Sequence, residues 1–264
     1  MKIVVCIKQV PDTTQVKIDQ ETSTLILEGV ETITNPFDEF AVEEGLLTCE
    51  KHGGEVHIIT MGPPQAIDVL RNALAMGADR AYLLSDTAFS GADTLATAYT
   101  LSKAIEKIGD VDLVICGKQA IDGDTAQVGP GIATRLRIPQ LTYVSRVRQI
   151  DPENRRIVVE RMLEDGIEVV ESSLPAVITV MKDINEPRLP SLLGIRKAAK
   201  AEIETWTAAD LPVDQSRLGL DGSPTWVMRV FRPEQRGGGE VFQGEIPDVV
   251  SQLVDKLLEA KIIK

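Results

Sequence analysis

Short apolar runs alternate with longer amphipathic segments as far as about residue 145. The apolar runs have the length and β-branched content of buried strands, and the segments between them, of roughly 11–16 residues, have the length of helices. The predicted strands are 2–7, 55–62, 79–86, 111–117 and 140–147, and the predicted helices are 36–53, 63–77, 93–109 and 125–137. This alternation predicts the α/β class, with a doubly wound, mostly parallel sheet covered by helices on both faces.

The pattern changes after about residue 145. In RIVVERMLEDGIEVVESSL, the pair Asp165-Gly166 is a strong hairpin signal between two strands, and PAVITVM follows as a last apolar strand. Residues 14–28 predict another hairpin, VKID and TLILE around a QETS turn. Prolines and a glycine predict an exposed loop at 183–198, and the breakers DGSP and RPEQRGGGE predict an extended, poorly self-packed segment at 205–247.

The chain ends in a predicted amphipathic helix, PDVVSQLVDKLLEAKIIK, which follows a GGG hinge. Its apolar stripe consists of Val249, Val250, Leu253, Leu257 and Leu258. A lone helix cannot bury such a stripe by itself. We therefore expect it to lie on another chain, with folding back over its own sheet as the alternative.

Charge and composition exclude several classes of function. The net charge of −12 would repel a phosphate backbone, and an aromatic content of 4% disfavours platforms that stack bases, so we predict no nucleic-acid partner. No apolar run reaches the ~18 residues of a membrane span. The N-terminus MKIVVCIKQV has the features of a first strand and not of a signal peptide, which predicts a cytoplasmic location.

Cysteine and histidine offer no centre for catalysis or metal binding. The three cysteines are far apart and in no metal spacing, and Cys6 and Cys116 lie inside predicted strands, where thiols act as small hydrophobic groups. His52 and His57 flank a Gly-Gly turn without a partner of the kind that acid–base catalysis or a metal site needs.

Three predicted strands end in turn-forming residues that expose the backbone, in KQVPDT, TMGPP and GKQAIDGDTAQVGPG. Open parallel sheets bind ligands beyond the carboxyl ends of their strands. Gly62, Gly117 and Gly123 lack a Cβ, so a ligand can approach their backbone closely. We therefore expect a ligand site at this edge of the sheet.

The loop at 117–131 has two possible helix starts. Asp124 or Thr125 would cap the helix, with Gln127 in a capping-box arrangement, or the helix would begin at Pro130 after an N–H-rich turn. In both cases free backbone N–H groups and the positive end of the helix dipole gather at 123–129. This predicts an anion site suited to a phosphate or a diphosphate.

The same loop is not a recognised nucleotide-hydrolysing motif. It matches neither GxGxxG nor GxxxxGK[ST], and no lysine follows its glycines to meet a terminal phosphate. Asp122 and Asp124 could suggest a metal–phosphate site, but two acids in such a turn more often act as caps. The loop is suited to hold a diphosphate and not to cleave one.

Seven segments together resemble one known family, the beta subunit of electron transfer flavoprotein. They are CIKQVPDT (6–13), NPFDEFAVEEGL (35–46), ITMGPPQA (59–66), MGADRAYLLSD (76–86), GADTLAT (91–97), GKQAIDGDTAQVGP (117–130) and NEPRLPSLLGIRKA (185–198). The resemblance covers essentially the whole chain, in order and at the expected spacing.

The resemblance implies a heterodimer with an alpha subunit that carries a redox-active FAD. It also implies a second nucleotide on this chain: structural AMP in one branch of the family, or a second FAD that accepts a hydride from NADH in the electron-bifurcating branch. The motif IDGDTAQVGP resembles the bifurcating branch. That branch sends electrons to the alpha-subunit FAD and an acyl-CoA dehydrogenase, and to ferredoxin or flavodoxin.

The resemblance also assigns residues. The nucleotide-binding positions that it implies are Cys6, Ile7, Lys8, Asn35, Asp38, Gly62, Cys116, Gly117, Gln119, Asp122, Gly123, Asp124, Thr125, Ala126, Gln127, Val128 and Gly129. The family's recognition loop, which docks on acyl-CoA dehydrogenases, aligns its anchoring leucine with Leu192, beside Leu193.

We accordingly expect a nucleotide-binding α/β domain at 1–182, a partner-recognition region at 183–204, and an arm and helix at 205–264 that pack on the alpha subunit. Two alternatives stay open. One is a non-bifurcating subunit that holds AMP and docks acyl-CoA dehydrogenases. The weaker one is an unrelated adenine-nucleotide sensor or hydrolase on the same kind of sheet.

Overall fold

The computed structural model describes residues 1–12, 17–18, 25–26, 31–228 and 238–263. The chain divides into two compact units, Met1–Arg229 and Val230–Lys264. The strands of the first unit are β1 (Lys2–Cys6), β2 (Gln9–Pro11), β3 (Lys17–Ile18), β4 (Leu25–Ile26), β5 (Thr32–Thr34), β6 (Glu55–Met61), β7 (Arg80–Leu84), β8 (Leu113–Gly117), β9 (Gln140–Asp151), β10 (Arg156–Met162), β11 (Ile167–Ser173), β12 (Ala176–Val180) and β13 (Glu204–Trp206). Its α-helices are α1 (Pro36–His52), α2 (Ile67–Met76), α3 (Thr94–Ile108), α4 (Val128–Leu136) and α5 (Leu192–Ala198).

One large sheet organises the first unit. Its strand order is β11-β10-β9-β12-β8-β1-β6-β7-β13. The pairs from β9 to β13 are parallel, and β9, β10 and β11 extend one edge as an antiparallel meander. The predicted α/β class with a mostly parallel sheet is thereby confirmed.

Helices cover both faces of the sheet, because its central strands are apolar on both sides. In β1, Ile3 and Val5 belong to the core that includes residues of α1 and α2. The intervening Val4 and Cys6 belong to a second core, with residues of α3 and α4. The period of two along the strand thus divides its side chains between the two layers.

The predicted hairpins are present where the structure describes them. β10 and β11 pair antiparallel, and the N–H of Leu163 donates to the carbonyl of Gly166 at 2.8 Å across the turn. β3 and β4 also pair antiparallel, although the predicted QETS turn between them lies outside the described residues.

Two predictions for the second half of the chain were wrong. The expected loop at 183–198 contains helix α5, whose Ser191 side chain accepts a hydrogen bond from the N–H of Gly194. The expected extended segment begins with a strand, β13, that joins the main sheet beside β7. Trp206 in this strand and Leu218 after it are buried in the second core, so this part of the segment is well packed and not poorly self-packed as expected.

The second unit is the C-terminal arm with helix α6 (Ile246–Glu259). The predicted C-terminal helix is present as α6, which has a proline in its first turn, and none of its residues is buried. Part of the breaker-rich stretch before it, 229–237, lies outside the described residues. Among the described helices, none has the length and apolarity that crossing a membrane requires.

Candidate functional site

The segments that follow β1, β6 and β8 lie side by side. β1 pairs with β8 on one side and with β6 on the other, so Cys6 is in register with both Cys116 and Ile59. The three strands are parallel, and their carboxyl ends therefore share one edge of the sheet. This arrangement brings the predicted site residues at 6–8, 62 and 116–129 together.

The first turn of α1 connects these segments. Asn35 occupies the N-cap position of α1, but its side chain makes no capping hydrogen bond. Instead its Nδ2 donates to the carbonyl of Gln119 at 2.9 Å and its Oδ1 accepts from the N–H of Ile121 at 3.1 Å. Its backbone N–H donates to the carbonyl of Lys8 at 2.9 Å. Asn35 thus holds the loops after β1 and β8 against each other.

Asp38 makes a second link between the same loops. Its Oδ2 accepts from the N–H of Lys8 at 2.7 Å, and its Oδ1 accepts from the N–H of Gly117 at 3.1 Å. The carboxyl group is buried, and this loss of solvation raises its pKa to about 7. The two backbone hydrogen bonds act in the opposite direction and lower the pKa, but burial outweighs them.

The glycines of the site have different surroundings. A Cβ on Gly117 would lie 2.4 Å from Asp38 Oδ1, and one on Gly129 would lie 2.5 Å from Thr179 Cγ2, so close packing requires both glycines. Gly62 donates its N–H to the carbonyl of Leu84 and sits at the end of β6. A Cβ on Gly123 would meet no atom within 4 Å. Gly123 is therefore the position where added bulk would reach only what binds in the site.

The helix after the loop starts between the two predicted positions. α4 begins at Val128, with Gln127 at the N-cap and without a side-chain cap, so neither Asp124 nor Thr125 caps it and Pro130 lies inside its first turn. Both predicted starts were wrong, because the backbone conformation of the preceding turn, and not a side-chain cap, sets where the helix begins. Asp124 and Ala126 have φ of 52° and 54°, in the left-handed region.

This turn leaves a row of backbone donors without an acceptor. In the part of the chain that the structure describes, the backbone N–H groups of 125–129 make no hydrogen bond. Left-handed Ala126 followed by helical Gln127 forms a concave arrangement of N–H groups, at the positive end of the α4 dipole. Such an arrangement binds an anion such as a phosphate.

The polar side chains of the loop are paired with one another or with residues of neighbouring segments. Lys8 Nζ and Asp122 Oδ2 form an ion pair of 2.6 Å, and the amide of Gln119 donates to the carboxylate of Asp124. Gln127 accepts at Oε1 from the hydroxyl of Thr94 at 2.8 Å. Within the described residues no cluster of histidine, cysteine, aspartate and glutamate could hold a metal ion. The two aspartates brace the loop.

Buried apolar side chains form the floor of the site. Ile7 is buried in one core, and Cys6 and Cys116 are buried side by side in the other as predicted. The hydrogen bond with Cys6 and burial raise the pKa of the Cys116 thiol. Val128 packs partly buried against the same core. These residues shape the floor of the site, and the raised pKa keeps the Cys116 thiol protonated.

A cleft of about 490 Å³ adjoins the turn before α4. Its lining residues are Lys118, Ala126, Pro130, Gln140, Thr142, Tyr143, Arg161 and Thr179. Tyr143 has a φ of 57°, and Lys118 Nζ lies 5.3 Å from the centre of its ring. The sequence did not indicate this cleft, because β9 has the pattern of an ordinary strand and nothing about a tyrosine predicts left-handed backbone.

The predicted docking residues lie away from this edge of the sheet, at the start of α5. The side chains of Leu192 and Leu193 are 87% and 80% exposed. Leu189, just before the helix, is 91% exposed. Three adjacent aliphatic side chains in solvent are typical of a protein-interaction surface.

Comparison with known proteins gives one consistent result. The sequence profile described as the electron transfer flavoprotein domain matches residues 22–211. The "Electron transfer flavoprotein subunit beta" of Thermoanaerobacterium thermosaccharolyticum is 54% identical over 264 residues, covering 100% of both chains. The "Caffeyl-CoA reductase-Etf complex subunit CarD" of Acetobacterium woodii is 50% identical over 265 residues, again covering 100% of both chains. "Protein FixA" of Azorhizobium caulinodans is 52% identical over 241 residues, covering 89% of this chain and 86% of the relative.

Proposed function

Because the chain belongs to the electron transfer flavoprotein family, we propose that it is the beta subunit of a heterodimer whose alpha subunit carries a redox-active FAD. In this proposal the chain binds a nucleotide beyond the carboxyl ends of β1, β6 and β8. The single observation that supports it most is the row of free N–H groups at 125–129 at the start of α4. A diphosphate or phosphate would satisfy these donors, and the segments braced by Asn35 and Asp38 would contact the adenosine.

We propose FAD as the nucleotide, as in the bifurcating branch. A bound second FAD would supply hydride acceptance from NADH and pass one electron toward the alpha-subunit FAD and an acyl-CoA dehydrogenase and the other toward ferredoxin or flavodoxin. The protein's part is to hold and orient this group and to control its access to solvent. The cleft beside Ala126 supports FAD, because it offers room next to the phosphate site for more than a mononucleotide.

The alternative is a non-bifurcating subunit with structural AMP. It is favoured by one observation: the free N–H groups of 125–129 belong to a single turn, which is enough for one phosphate. In that case the chain would only hold the nucleotide and shape the complex.

Analysis of the nucleotides released from the purified heterodimer separates these candidates. Two FAD per heterodimer without AMP is the result that we expect. One FAD and one AMP would exclude the bifurcating version and support the alternative. One FAD with no other nucleotide would contradict the nucleotide site itself. ATP turnover by the heterodimer would instead support the hydrolase alternative.

Two further surfaces are part of the proposal. We assign docking of an acyl-CoA dehydrogenase to Leu192 and Leu193, because both are exposed at the start of a short helix. We assign α6 to a site on the alpha subunit, because its apolar side chains recur at helical spacing and none of its residues is buried. The apolar residues of α6 that are substantially exposed are Ile246, Val250, Leu253, Val254 and Leu258.

The cytoplasm is the proposed location, which the three free thiols support.

A further inference from the structure

The segment before α5 is anchored to α1 by one arginine. The guanidinium of Arg188 donates from Nε and Nη2 to both carboxylate oxygens of Glu43, with its shortest contacts at 2.8 Å. The backbone N–H of Arg188 also donates to Glu43 Oε2 at 3.1 Å. Glu43 is only 3% exposed. A forked, charge-assisted contact to a buried carboxylate fixes both the position and the orientation of the chain at residue 188.

A second carboxylate contacts the same arginine, but it is exposed to solvent. Glu50 Oε1 lies 2.5 Å from Arg188 Nη1, but the Glu50 side chain is 57% exposed. Ion pairs in solvent contribute little, whereas loss of one partner from a buried pair leaves an uncompensated charge. Glu43, and not Glu50, is therefore the partner that holds Arg188.

Further contacts hold the segment on both sides of Arg188. Before it, Asn185 Nδ2 donates to Glu44 Oε2 at 3.0 Å and to the carbonyl of Phe40 at 3.1 Å. After it, Arg71 Nη1 donates to the carbonyl of Ala198 at the end of α5 at 2.7 Å. Each contact ties this segment to α1 or to α2. The segment is thus ordered although its apolar side chains face solvent.

What the anchored segment presents is an apolar surface with a basic edge. Leu189, Leu192 and Leu193 are almost fully exposed, and Ile195 is 50% exposed. The exposed residues Arg196, Lys197 and Lys200 stand beside them and form no ion pair with any described residue. A surface of this kind fits a partner with an apolar pocket bordered by carboxylates.

We propose that Arg188 is a positioning residue for partner docking, acting through its pair with Glu43. This inference rests on the proposed docking of an acyl-CoA dehydrogenase and names what holds the docking surface in place. Fixing the segment before the partner arrives removes the entropy cost of ordering it during binding. Without the anchor, association should weaken while electron transfer within the bound complex stays the same.

Steady-state kinetics of the purified heterodimer with an acyl-CoA dehydrogenase test this. Arg188→Gln and Glu43→Gln should each raise the KM for the heterodimer roughly tenfold, with kcat and flavin content unchanged. A tenfold change is what we expect when binding must also immobilise about one additional long side chain. Arg188→Lys should give an intermediate KM, because a lysine keeps the charge and loses the fork. Glu50→Gln is the matched control and should change KM less than twofold.

Hydrogen exchange gives a readout that does not depend on the dehydrogenase. The amides of 189–198 should exchange faster in Arg188→Gln than in the wild-type heterodimer, and Leu192→Ala should not change them. Leu192→Ala should nevertheless raise KM.

The outcomes separate the two levels of the proposal. An unchanged KM in Leu192→Ala would contradict docking at this surface, and the inference would fall with it. A raised KM in Leu192→Ala but an unchanged KM in Arg188→Gln and Glu43→Gln would overturn only the role of Arg188. Loss of flavin or a lowered kcat in Arg188→Gln would show a general structural role and overturn the inference as well.

Discussion

Asp38 and Gly117 are joined by a hydrogen bond of 3.1 Å from the glycine N–H to the carboxylate Oδ1, where α1 meets the end of β8. A Cβ on Gly117 would lie within 2.8 Å of Asp38 and of the side chain and backbone of Phe37. The first turn of α1 and the end of β8 therefore pack directly on each other. This contact fixes the position at which the loop 117–127 leaves β8.

Gly117→Ala should destabilise the protein. The added methyl group would overlap Phe37 and Asp38, and the overlap should lower the free energy of unfolding by about 1–3 kcal/mol. Urea denaturation followed by circular dichroism measures the change. Gly123→Ala is the control, because its methyl group meets no atom, and it should stay within about 0.5 kcal/mol. Equal stability of the two variants would contradict the packing described.

Asp38 should make stability depend on pH. Burial raises its pKa from 3.8 to about 7, so the folded chain binds this proton more tightly than the unfolded chain. The contribution of Asp38 to stability is then complete below pH 3.8 and is lost as pH rises through about 7. Each unit of such a shift corresponds to about 1.4 kcal/mol.

The variant Asp38→Asn isolates this contribution, because asparagine does not titrate. The free energy of unfolding of the wild-type protein minus that of the variant should fall as pH rises from about 4 to about 7, and it should then level off. Denaturation curves across this range measure the difference. A difference that is flat or that rises with pH would rule out a raised pKa at Asp38.

Gly123→Val should reduce nucleotide loading without weakening the fold. The valine would occupy the open space in front of the turn, where the proposed phosphate approaches the backbone. The nucleotide released from the purified heterodimer should fall at least roughly tenfold, as expected for the loss of a phosphate contact of about 1.4 kcal/mol or more. Gly166→Val is the matched control, because a Cβ there also meets no atom within 4 Å. Gly166 lies in the turn between β10 and β11, so this variant should keep its nucleotide. Normal nucleotide content in Gly123→Val would refute the phosphate assignment.

The three cysteines should differ in their reactivity toward an alkylating reagent. Cys6 and Cys116 are buried and Cys49 is partly buried, and burial raises the pKa of the Cys49 thiol. In the native protein we expect slow labelling of Cys49 alone, since the reagent cannot reach the two buried thiols. Peptide mass spectrometry after iodoacetamide treatment measures this, and all three should react in urea. Rapid labelling of Cys6 or Cys116 in the native protein would contradict their placement in the core.

The seven-residue helix α5 could not be predicted from the sequence pattern. An isolated helix of this length is unstable in water, and the sequence between Pro190 and Lys200 contains too few turns to show a period. The helix exists because distant residues hold it: Arg71 binds its last carbonyl, and a Cβ on Gly194 would lie 2.2 Å from the carbonyl oxygen of Ala75. No local signal encodes these contacts.

The sequence by itself determined the elements whose cause is local. The alternation of apolar strands and amphipathic helices and the Asp165-Gly166 turn predicted the α/β sheet, the hairpin and the start of α1 at residue 36, because periodicity and turn geometry act within a few residues. The glycines at the strand ends also predicted the edge of the sheet at which we propose the nucleotide site. The tertiary structure alone decided which groups Asn35 and Asp38 form hydrogen bonds with, where α4 begins, and that Arg188 pairs with Glu43. The side-chain contacts of Asn35, Asp38 and Arg188 join residues 30 to 145 positions apart in the chain, and only the folded sheet brings such partners within hydrogen-bonding distance.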